Sequence, residues 1–208
     1  MTGQDEEPHH LREPVSGADW TRGPSTGSGS PHDAREGPSR AGSRGGPADA
    51  PVTLVEYADF QCEFCQAAYP EIEKVLRARG DQVRFVFRHF PLQSSHPRAL
   101  AAALAAEAAG RQGKFWEMHA TLFEHPGRLE EEDLRRYARE LGLDLDRFDA
   151  DRADPELAAK IQHQKRVGAR SGVNGTPCFY INGLRYDGPR DSRSLSGVLE
   201  QAAQQEPA

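Results

Sequence analysis

The pattern of apolar and polar residues changes abruptly at Pro51. Residues 52–57 are β-branched and apolar, which predicts a buried strand, and a second such run covers residues 83–87. Between the two runs, apolar residues recur with a helical period, at Phe64, Ala68, Ile72, Val75 and Leu76. A strand, a helix and a strand in succession predict a right-handed crossover and a parallel pair of strands.

Helical periodicity dominates the middle of the chain. Apolar residues three and four positions apart predict four amphipathic helices, around residues 100–108, 115–123, 134–141 and 154–161. Strand patterns return at residues 178–181 and 184–186, on either side of Asn182-Gly183, a sequence typical of a tight hairpin turn. With a last helix around residues 195–202, the order is strand–helix–strand, a block of helices, then strand–strand–helix.

Residues 1–50 have the composition of a disordered tail. Gly, Pro and Ser make up more than a third of them, and beyond Met1 the bulky apolar side chains are Leu11, Val15 and Trp20. Such a segment buries too little apolar surface to offset the entropy lost on ordering. We therefore predict a flexible tail, with a partner-binding arm around Trp20 as the alternative, and a folded domain over residues 51–204.

Length and charge exclude several classes of function. A chain of 208 residues accommodates one well-packed domain and a tail. The net charge of −6 does not attract phosphate, so we do not expect a nucleic-acid partner. No run approaches the ~20 apolar residues that span a bilayer.

Residues 4–7 are polar and acidic where a secretory signal has a basic start, so we expect a cytoplasmic protein. Nothing in the sequence indicates an oligomeric state.

Cys62 and Cys65 lie where the first predicted strand gives way to a helix. Free N–H groups and the positive end of the helix dipole stabilise a thiolate there and lower its pKa. We expect the Cys62 sulfur to face solvent and the Cys65 sulfur to be shielded, close enough to form a disulfide. Half of a zinc site and a pair of inert cysteines are the alternatives. Zinc is disfavoured because no second C-x-x-C or closely spaced His pair follows.

The second candidate motif is Thr176-Pro177, directly before the strand predicted at residues 178–181. Proline is unusual at the start of a central strand because it cannot donate a hydrogen bond to the neighbouring strand. A cis Thr176–Pro177 bond in a functional loop accounts for it. The alternative is an ordinary trans proline at a strand entrance, which proline statistics alone favour.

Taken in order, these motifs resemble the thioredoxin superfamily, and the helical block is similar to the insert of its DsbA-like branch. The similar stretches in this block are residues 88–92 with His96-Pro97, 105–110 and 113–119. The resemblance covers residues 52–201. It implies an α/β thioredoxin-like fold with a four-stranded sheet. The helical insertion, about residues 92–167, lies between the βαβ and ββα halves and covers the active-site face.

The resemblance also implies roles for five residues. Cys62 is the nucleophile in disulfide exchange, and Cys65 resolves the mixed disulfide. Thr176 and Pro177 form a cis-proline loop that offers backbone groups to an extended substrate. Glu56, six residues before Cys62, matches a buried acid that assists proton transfer from Cys65, although a carboxylate paired elsewhere is the alternative. Protein or small-molecule thiols and disulfides are the implied partners, and no metal, flavin or other cofactor is implied.

The sequence departs from DsbA at two places. Glu63-Phe64 replaces the Pro-His pair between the cysteines, and a carboxylate beside Cys62 disfavours its thiolate, so we expect a less oxidising pair. Cys178 follows Pro177, and we expect it to be buried and inert, with a third redox thiol as the alternative. Among the histidines, His89 is the one whose position favours proximity to the site.

Thiol–disulfide exchange is the leading function, and two others stay open. A kappa-type glutathione transferase or isomerase shares the architecture, although such enzymes use a single Ser or Cys and so do not need Cys65. A peptide-binding module that uses the cis-proline groove, with incidental redox activity, is the other alternative.

Overall fold

The computed structural model describes residues 11–12 and 44–204. The strands and helices, in chain order, are β1 (Leu11–Arg12), β2 (Arg44–Gly45), β3 (Val52–Ala58), α1 (Glu63–Arg79), β4 (Val83–His89), α2 (Ala99–Arg111), α3 (Phe115–Glu124), α4 (Glu131–Glu140), α5 (Leu145–Ala153), α6 (Pro155–Arg170), β5 (Cys178–Ile181), β6 (Leu184–Tyr186) and α7 (Ser192–Gln204). Within this part of the chain, no helix combines the length and apolar character that crossing a bilayer requires.

The strands form one sheet in the order β1-β6-β5-β3-β4-β2. Strands β3 and β4 are parallel, as the strand–helix–strand pattern predicts, and β5 runs antiparallel to β3. Strands β5 and β6 form the predicted hairpin, in which Asn182 and Gly183 both adopt positive φ, 49° and 84°. That backbone favours Asn and Gly. The middle of the sheet therefore has the predicted topology.

The prediction of a four-stranded sheet is wrong by two edge strands. β1 pairs with β6 at one edge and β2 pairs with β4 at the other, and both come from the segment predicted to be disordered. Edge pairing joins backbone groups, so a two-residue strand needs no apolar pattern and leaves no compositional signal. For residues 1–10 and 13–43 the prediction falls outside the described part of the chain.

Helices cover both faces of the sheet, which explains the nearly continuous apolar runs in β3 and β4. Leu54, Phe87 and Phe179 belong to the larger core, to which α1, α7 and the helices of the insertion contribute. Tyr57 and Phe90 belong to a smaller core, against which α6 packs at Gly168. The sheet is thus buried from both sides.

The predicted helical insertion between β4 and β5 is confirmed, but it contains five helices instead of four and ends at Arg170. The missed helix is α5, in which Phe148 is the one buried residue, so it has no apolar period to detect. Its N-cap is Asp144, whose side chain accepts a hydrogen bond from the backbone N–H of Arg147. Helix α6 begins as predicted, with Asp154 as the N-cap and Pro155 in the first turn.

Candidate active site

The two cysteines of the C-x-x-C motif stand at the start of α1. Cys62 is the N-cap residue, with an extended backbone (φ −74°, ψ 120°), and its carbonyl oxygen accepts hydrogen bonds from the N–H groups of Cys65 (3.1 Å) and Gln66 (3.0 Å). Both cysteines are buried, with 3% of Cys62 and 0% of Cys65 exposed. The expectation that the first sulfur faces solvent is therefore wrong, because the Thr176 loop lies against the tip of the helix.

The loop before β5 brings Thr176 and Pro177 to the first cysteine. Cys62 Sγ donates a hydrogen bond to the carbonyl oxygen of Thr176, at 3.4 Å across 114 positions of sequence. The Thr176–Pro177 peptide bond is cis, which confirms that prediction. The hydroxyl of Thr176 is buried, and the Thr176 side chain lowers the pKa of Cys62.

The two thiols ionise in opposite ways. The hydrogen bond from the Cys65 side chain is the largest effect on Cys62; with the Thr176 side chain and the N–H groups of Cys65 and Phe64, it outweighs burial and lowers the pKa of Cys62 to about 5. Burial raises the pKa of Cys65 well above its ordinary value, and its hydrogen bond to Cys62 and the charge of Glu56 act in the same direction. At neutral pH the site therefore holds a Cys62 thiolate beside a protonated Cys65.

Glu56 lies in β3 with 2% of its surface exposed. Burial raises the pKa of Glu56 to about 8, against the lowering effect of the Arg190 charge and together with the raising effect of Cys62. Because the charge of Glu56 in turn raises the pKa of Cys65, the carboxyl and the second thiol are electrostatically coupled. The fold thus assembles all five candidate residues, which come from three segments of the chain.

Residues 40–201 match the Thioredoxin_4 family, described as thioredoxin. The chain belongs to the Thioredoxin_4 family. A thioredoxin-like oxidoreductase from Silicibacter pomeroyi DSS-3 shares this fold with a TM-score of 0.71 and 30% identity, over 80% of this chain and 95% of that chain. Two further structures share the fold at lower identity. The thiol–disulfide exchange protein alpha-DsbA2 from Wolbachia pipientis has a TM-score of 0.70 and 22% identity, over 78% of this chain and 87% of that chain. BdbD from Bacillus subtilis has a TM-score of 0.69 and 23% identity, over 81% of this chain and 96% of that chain.

These likenesses confirm the α/β thioredoxin-like fold with a helical insertion, and the family match confirms the resemblance to the thioredoxin superfamily. The Thioredoxin_4 protein is also similar to part of much longer proteins. Na(+)/H(+) antiporter NhaA 3 of Salinispora tropica is 47% identical over 157 residues, which are 76% of this chain and 24% of that protein. For Na(+)/H(+) antiporter NhaA 1 of Mycobacterium sp. (strain KMS) the identity is 45% over 167 residues, 78% and 27% of the two chains. The chain spans about a quarter of the length of these curated relatives.

The third cysteine of the Thioredoxin_4 protein is buried, as predicted. Cys178 is 6% exposed and belongs to the smaller core, whereas Cys62 and Cys65 belong to the larger one. Burial raises the pKa of Cys178, which keeps it a protonated thiol at neutral pH. Its burial is confirmed, and its inertness stays a prediction.

His89 belongs to a buried charged group. Its Nε2 lies 3.1 Å from Glu107 Oε1, and Glu107 Oε2 accepts a hydrogen bond from Lys160 Nζ at 2.6 Å. Its backbone N–H donates to the side chain of Gln164 at 2.8 Å. In the described residues no three His, Cys, Asp or Glu side chains are arranged to hold a metal ion.

The sequence pattern does not reveal the place of two residues at this site. Asp59, taken only as part of a turn, is 2% exposed and accepts hydrogen bonds from three groups. The signal that could have marked Asp59 is the Asx turn, in which an Asp side chain accepts a hydrogen bond from the backbone N–H two residues further on. Phe64 is predicted on the apolar face of the first helix with Ala68 and Ile72, and this is wrong because Phe64 is 60% exposed. Among the described residues it is the one large apolar side chain that is exposed.

Proposed function

We propose that this Thioredoxin_4 protein exchanges electrons between the Cys62–Cys65 pair and disulfides of proteins or small molecules. The observation that carries the proposal is the position of Cys62 at the N-cap of α1, with Cys65 in the first turn and the cis Thr176–Pro177 loop 3.4 Å from the Cys62 sulfur. In this position the pKa of Cys62 is lowered and that of Cys65 is raised. A thiolate is the attacking species in disulfide exchange, so Cys62 is ready to react at neutral pH.

The reaction balances as two exchanges. The Cys62 thiolate attacks one sulfur of a substrate disulfide, forms a mixed disulfide, and releases the other substrate sulfur as a thiolate. Cys65 then loses its proton and attacks Cys62 Sγ, which forms the Cys62–Cys65 disulfide and releases the second substrate thiolate. The substrate gains two electrons and the pair loses two, and the reverse sequence oxidises a dithiol.

Glu56 is the proposed acceptor of the Cys65 proton. Burial and the charge of Cys62 raise the pKa of Glu56 to about 8 and keep it protonated beside the Cys62 thiolate. In the mixed disulfide the Cys62 charge is gone, so the pKa of Glu56 falls toward neutral pH and the carboxylate can take the Cys65 proton. Thr176 and Pro177 are proposed to bind an extended substrate through their backbone, and the contact between the Thr176 carbonyl and Cys62 Sγ supports this position.

The pair is proposed to be less oxidising than that of DsbA. The pKa of Cys62, about 5, lies between values of roughly 3.5 for DsbA and roughly 7 for thioredoxin. A more weakly stabilised thiolate leaves the reduced form less favoured. A cytoplasmic setting, which favours a reductase, stays a prediction.

A peptide-binding module is the second candidate, favoured by one observation. The exposed side chain of Phe64 lies in the C-x-x-C motif itself and offers an apolar contact next to the Thr176 loop. If binding is the function, a Cys62→Ala, Cys65→Ala double variant should capture extended peptides as well as the native chain does.

The deciding experiment equilibrates the protein with glutathione buffers, followed by thiol trapping and mass spectrometry. We expect one disulfide, Cys62–Cys65, with Cys178 left as a thiol, and the same midpoint in a Cys178→Ala control. A potential of roughly −250 mV or lower indicates a reductase, and one above about −180 mV an oxidant. If no Cys62–Cys65 disulfide forms at any glutathione ratio, the oxidoreductase proposal fails and the binding module replaces it.

A further inference from the structure

The turn before Cys62 is fastened to the segment that leads into the helical insertion. The backbone N–H of Phe90 donates to the carbonyl oxygen of Ala58 at 2.8 Å, where β3 and β4 end. Three residues further on, the side chain of Gln61 accepts a hydrogen bond from the backbone N–H of Arg98 at 2.8 Å, at the N-cap of α2. Two short segments, residues 58–61 and 90–98, therefore run side by side next to the reactive cysteine.

Asp59 is the centre of this arrangement. Its Oδ1 accepts a hydrogen bond from the backbone N–H of Gln61, and its Oδ2 accepts from the backbone N–H of Leu92 and from Nδ1 of His96, each at 2.8 Å. A carboxylate only accepts hydrogen bonds, so Nδ1 of His96 carries the hydrogen. The Asp59 side chain is fully buried and that of His96 is 23% exposed. A buried carboxylate is stable only with such a set of donors.

The backbone of the same residue touches both cysteines. The carbonyl oxygen of Asp59 accepts a hydrogen bond from the N–H of Cys62 at 3.1 Å. The backbone of Asp59 also acts on Cys65, where it lowers the pKa of the thiol against the larger effect of burial. A shift of the Asp59 side chain therefore moves the backbone next to Cys62 and Cys65, and with it the two thiols.

We propose that Asp59 and His96 are positioning residues that hold the C-x-x-C turn in the geometry in which donors converge on the Cys62 sulfur. The proposal rests on the proposed function and deepens it. The hydrogen bonds of the Asp59 carboxylate go to Gln61, Leu92 and His96, so it acts through the backbone rather than on sulfur.

Asp59→Asn separates positioning from a simple effect of charge. Removal of a nearby negative charge, acting alone, would stabilise the Cys62 thiolate and lower its pKa. Loss of positioning acts in the opposite direction. An amide keeps one acceptor oxygen but turns an NH₂ group toward the remaining donors, so the turn is held less firmly. The N–H groups of Phe64 and Cys65 then no longer point at the Cys62 sulfur.

The test measures thiolate absorbance against pH, and the equilibrium with glutathione, in the full chain carrying Cys178→Ala. We expect Asp59→Asn and His96→Ala to raise the pKa of Cys62. The glutathione equilibrium should move about tenfold toward the Cys62–Cys65 disulfide, which corresponds to a potential about 30 mV more negative. His96→Asn should restore both values, because its amide places an N–H donor where Nδ1 stands.

His163→Ala, an exposed histidine of α6, is the matched control and should change neither value. If Asp59→Asn lowers the pKa of Cys62, or if His96→Ala leaves both values unchanged in a folded protein, the positioning role is refuted. If Asp59→Asn does not fold, the comparison of His96→Ala with His96→Asn still decides, because His96 is partly exposed. Failure of the proposed function is distinguishable, since the parent protein then forms no disulfide at all.

Discussion

Three neighbouring groups of the active site share one buried environment but respond to it differently. Burial penalises the charged form of an acid, and it keeps Cys65 and Glu56 protonated above their ordinary ranges. Cys62 is equally buried, yet its pKa is lowered because hydrogen-bond donors converge on its sulfur. The site therefore tolerates a single negative charge at neutral pH, and the protein places it on the nucleophile.

The raised pKa of Glu56 predicts a loss of stability as pH rises. Below about pH 4.5 Glu56 is protonated in the folded and the unfolded chain; between about 4.5 and 8 the unfolded chain releases this proton while the folded chain retains it. The free energy of unfolding of the native chain should therefore fall relative to Glu56→Gln over this interval, by at most about 1.4 kcal/mol per pH unit. Urea unfolding from pH 4 to 9 measures this, in the disulfide form so that Cys62 does not titrate.

Glu132→Gln is the control for that experiment, because it replaces an exposed glutamate of α4. We expect its difference from the native chain to stay constant with pH. A constant difference for Glu56→Gln as well would show that the Glu56 carboxyl does not hold its proton in the folded protein, and the assignment of the single negative charge to Cys62 would then be withdrawn.

At the scale of elements, α6 packs unusually close to the sheet because of one glycine. A Cβ atom at Gly168 would lie 2.7 Å from Cε1 and 2.9 Å from Cδ1 of Tyr57, and 3.1 Å from Cδ2 of Phe90. Glycine inside a helix costs about 1 kcal/mol relative to alanine. Its absence of a side chain is what lets the helix approach β3 just before the active-site turn.

Gly168→Ala should therefore destabilise the fold although alanine favours a helix. Two aromatic rings of the core would have to shift, and overpacking of this kind costs roughly 1–3 kcal/mol. Gly197→Ala in α7 is the matched control, since no atom lies within 4 Å of its Cβ position, and it should stabilise by up to about 1 kcal/mol. Urea unfolding of the two variants should give changes of opposite sign, and equal stabilisation would contradict the packing argument.

The elements that the sequence predicts correctly are those whose burial leaves a period. β3 and β4 are buried on both faces and show continuous apolar runs, whereas α1 buries one face and shows a helical spacing. Asp154-Pro155 marks the start of α6 by its chemistry. Helix α5 is not predicted, because it buries a single side chain. The edge strands are not predicted, because backbone groups alone hold them in the sheet.

At the scale of the whole molecule, the site depends on contacts that no local pattern contains. The Cys62–Cys65 motif is local, and the cis-proline loop was predicted by resemblance. The pairing of Asp59 with His96 spans 37 positions and exists only once β4 leads the chain back past the active-site turn. Positioning residues of this kind become visible only in the folded structure.

A buried charged group likewise joins the sheet to the insertion. Glu107 of α2 is 3% exposed and lies between His89 of β4 and Lys160 of α6. Burial alone would raise the pKa of Glu107, but the hydrogen bonds and charges of His89 and Lys160 outweigh it and lower the pKa to about 2. The ionised Glu107 carboxylate therefore stabilises the folded chain fully above about pH 4.5, and this stabilisation is lost as the pH falls toward 2.

Lys160→Met tests whether this group holds the two parts of the molecule together. Methionine keeps the apolar stem but removes the charge, and a buried carboxylate that loses a partner costs up to 3–5 kcal/mol, of which we expect about 1–3 because His89 remains. Lys114→Met breaks the exposed pair with Glu117 and should change little. If urea unfolding at pH 7 gives the same small change for both, Glu107 is not stabilised by Lys160. If Lys160→Met combined with Glu107→Gln is more stable than Lys160→Met alone, the cost arises from the stranded charge, as the buried position of Glu107 requires.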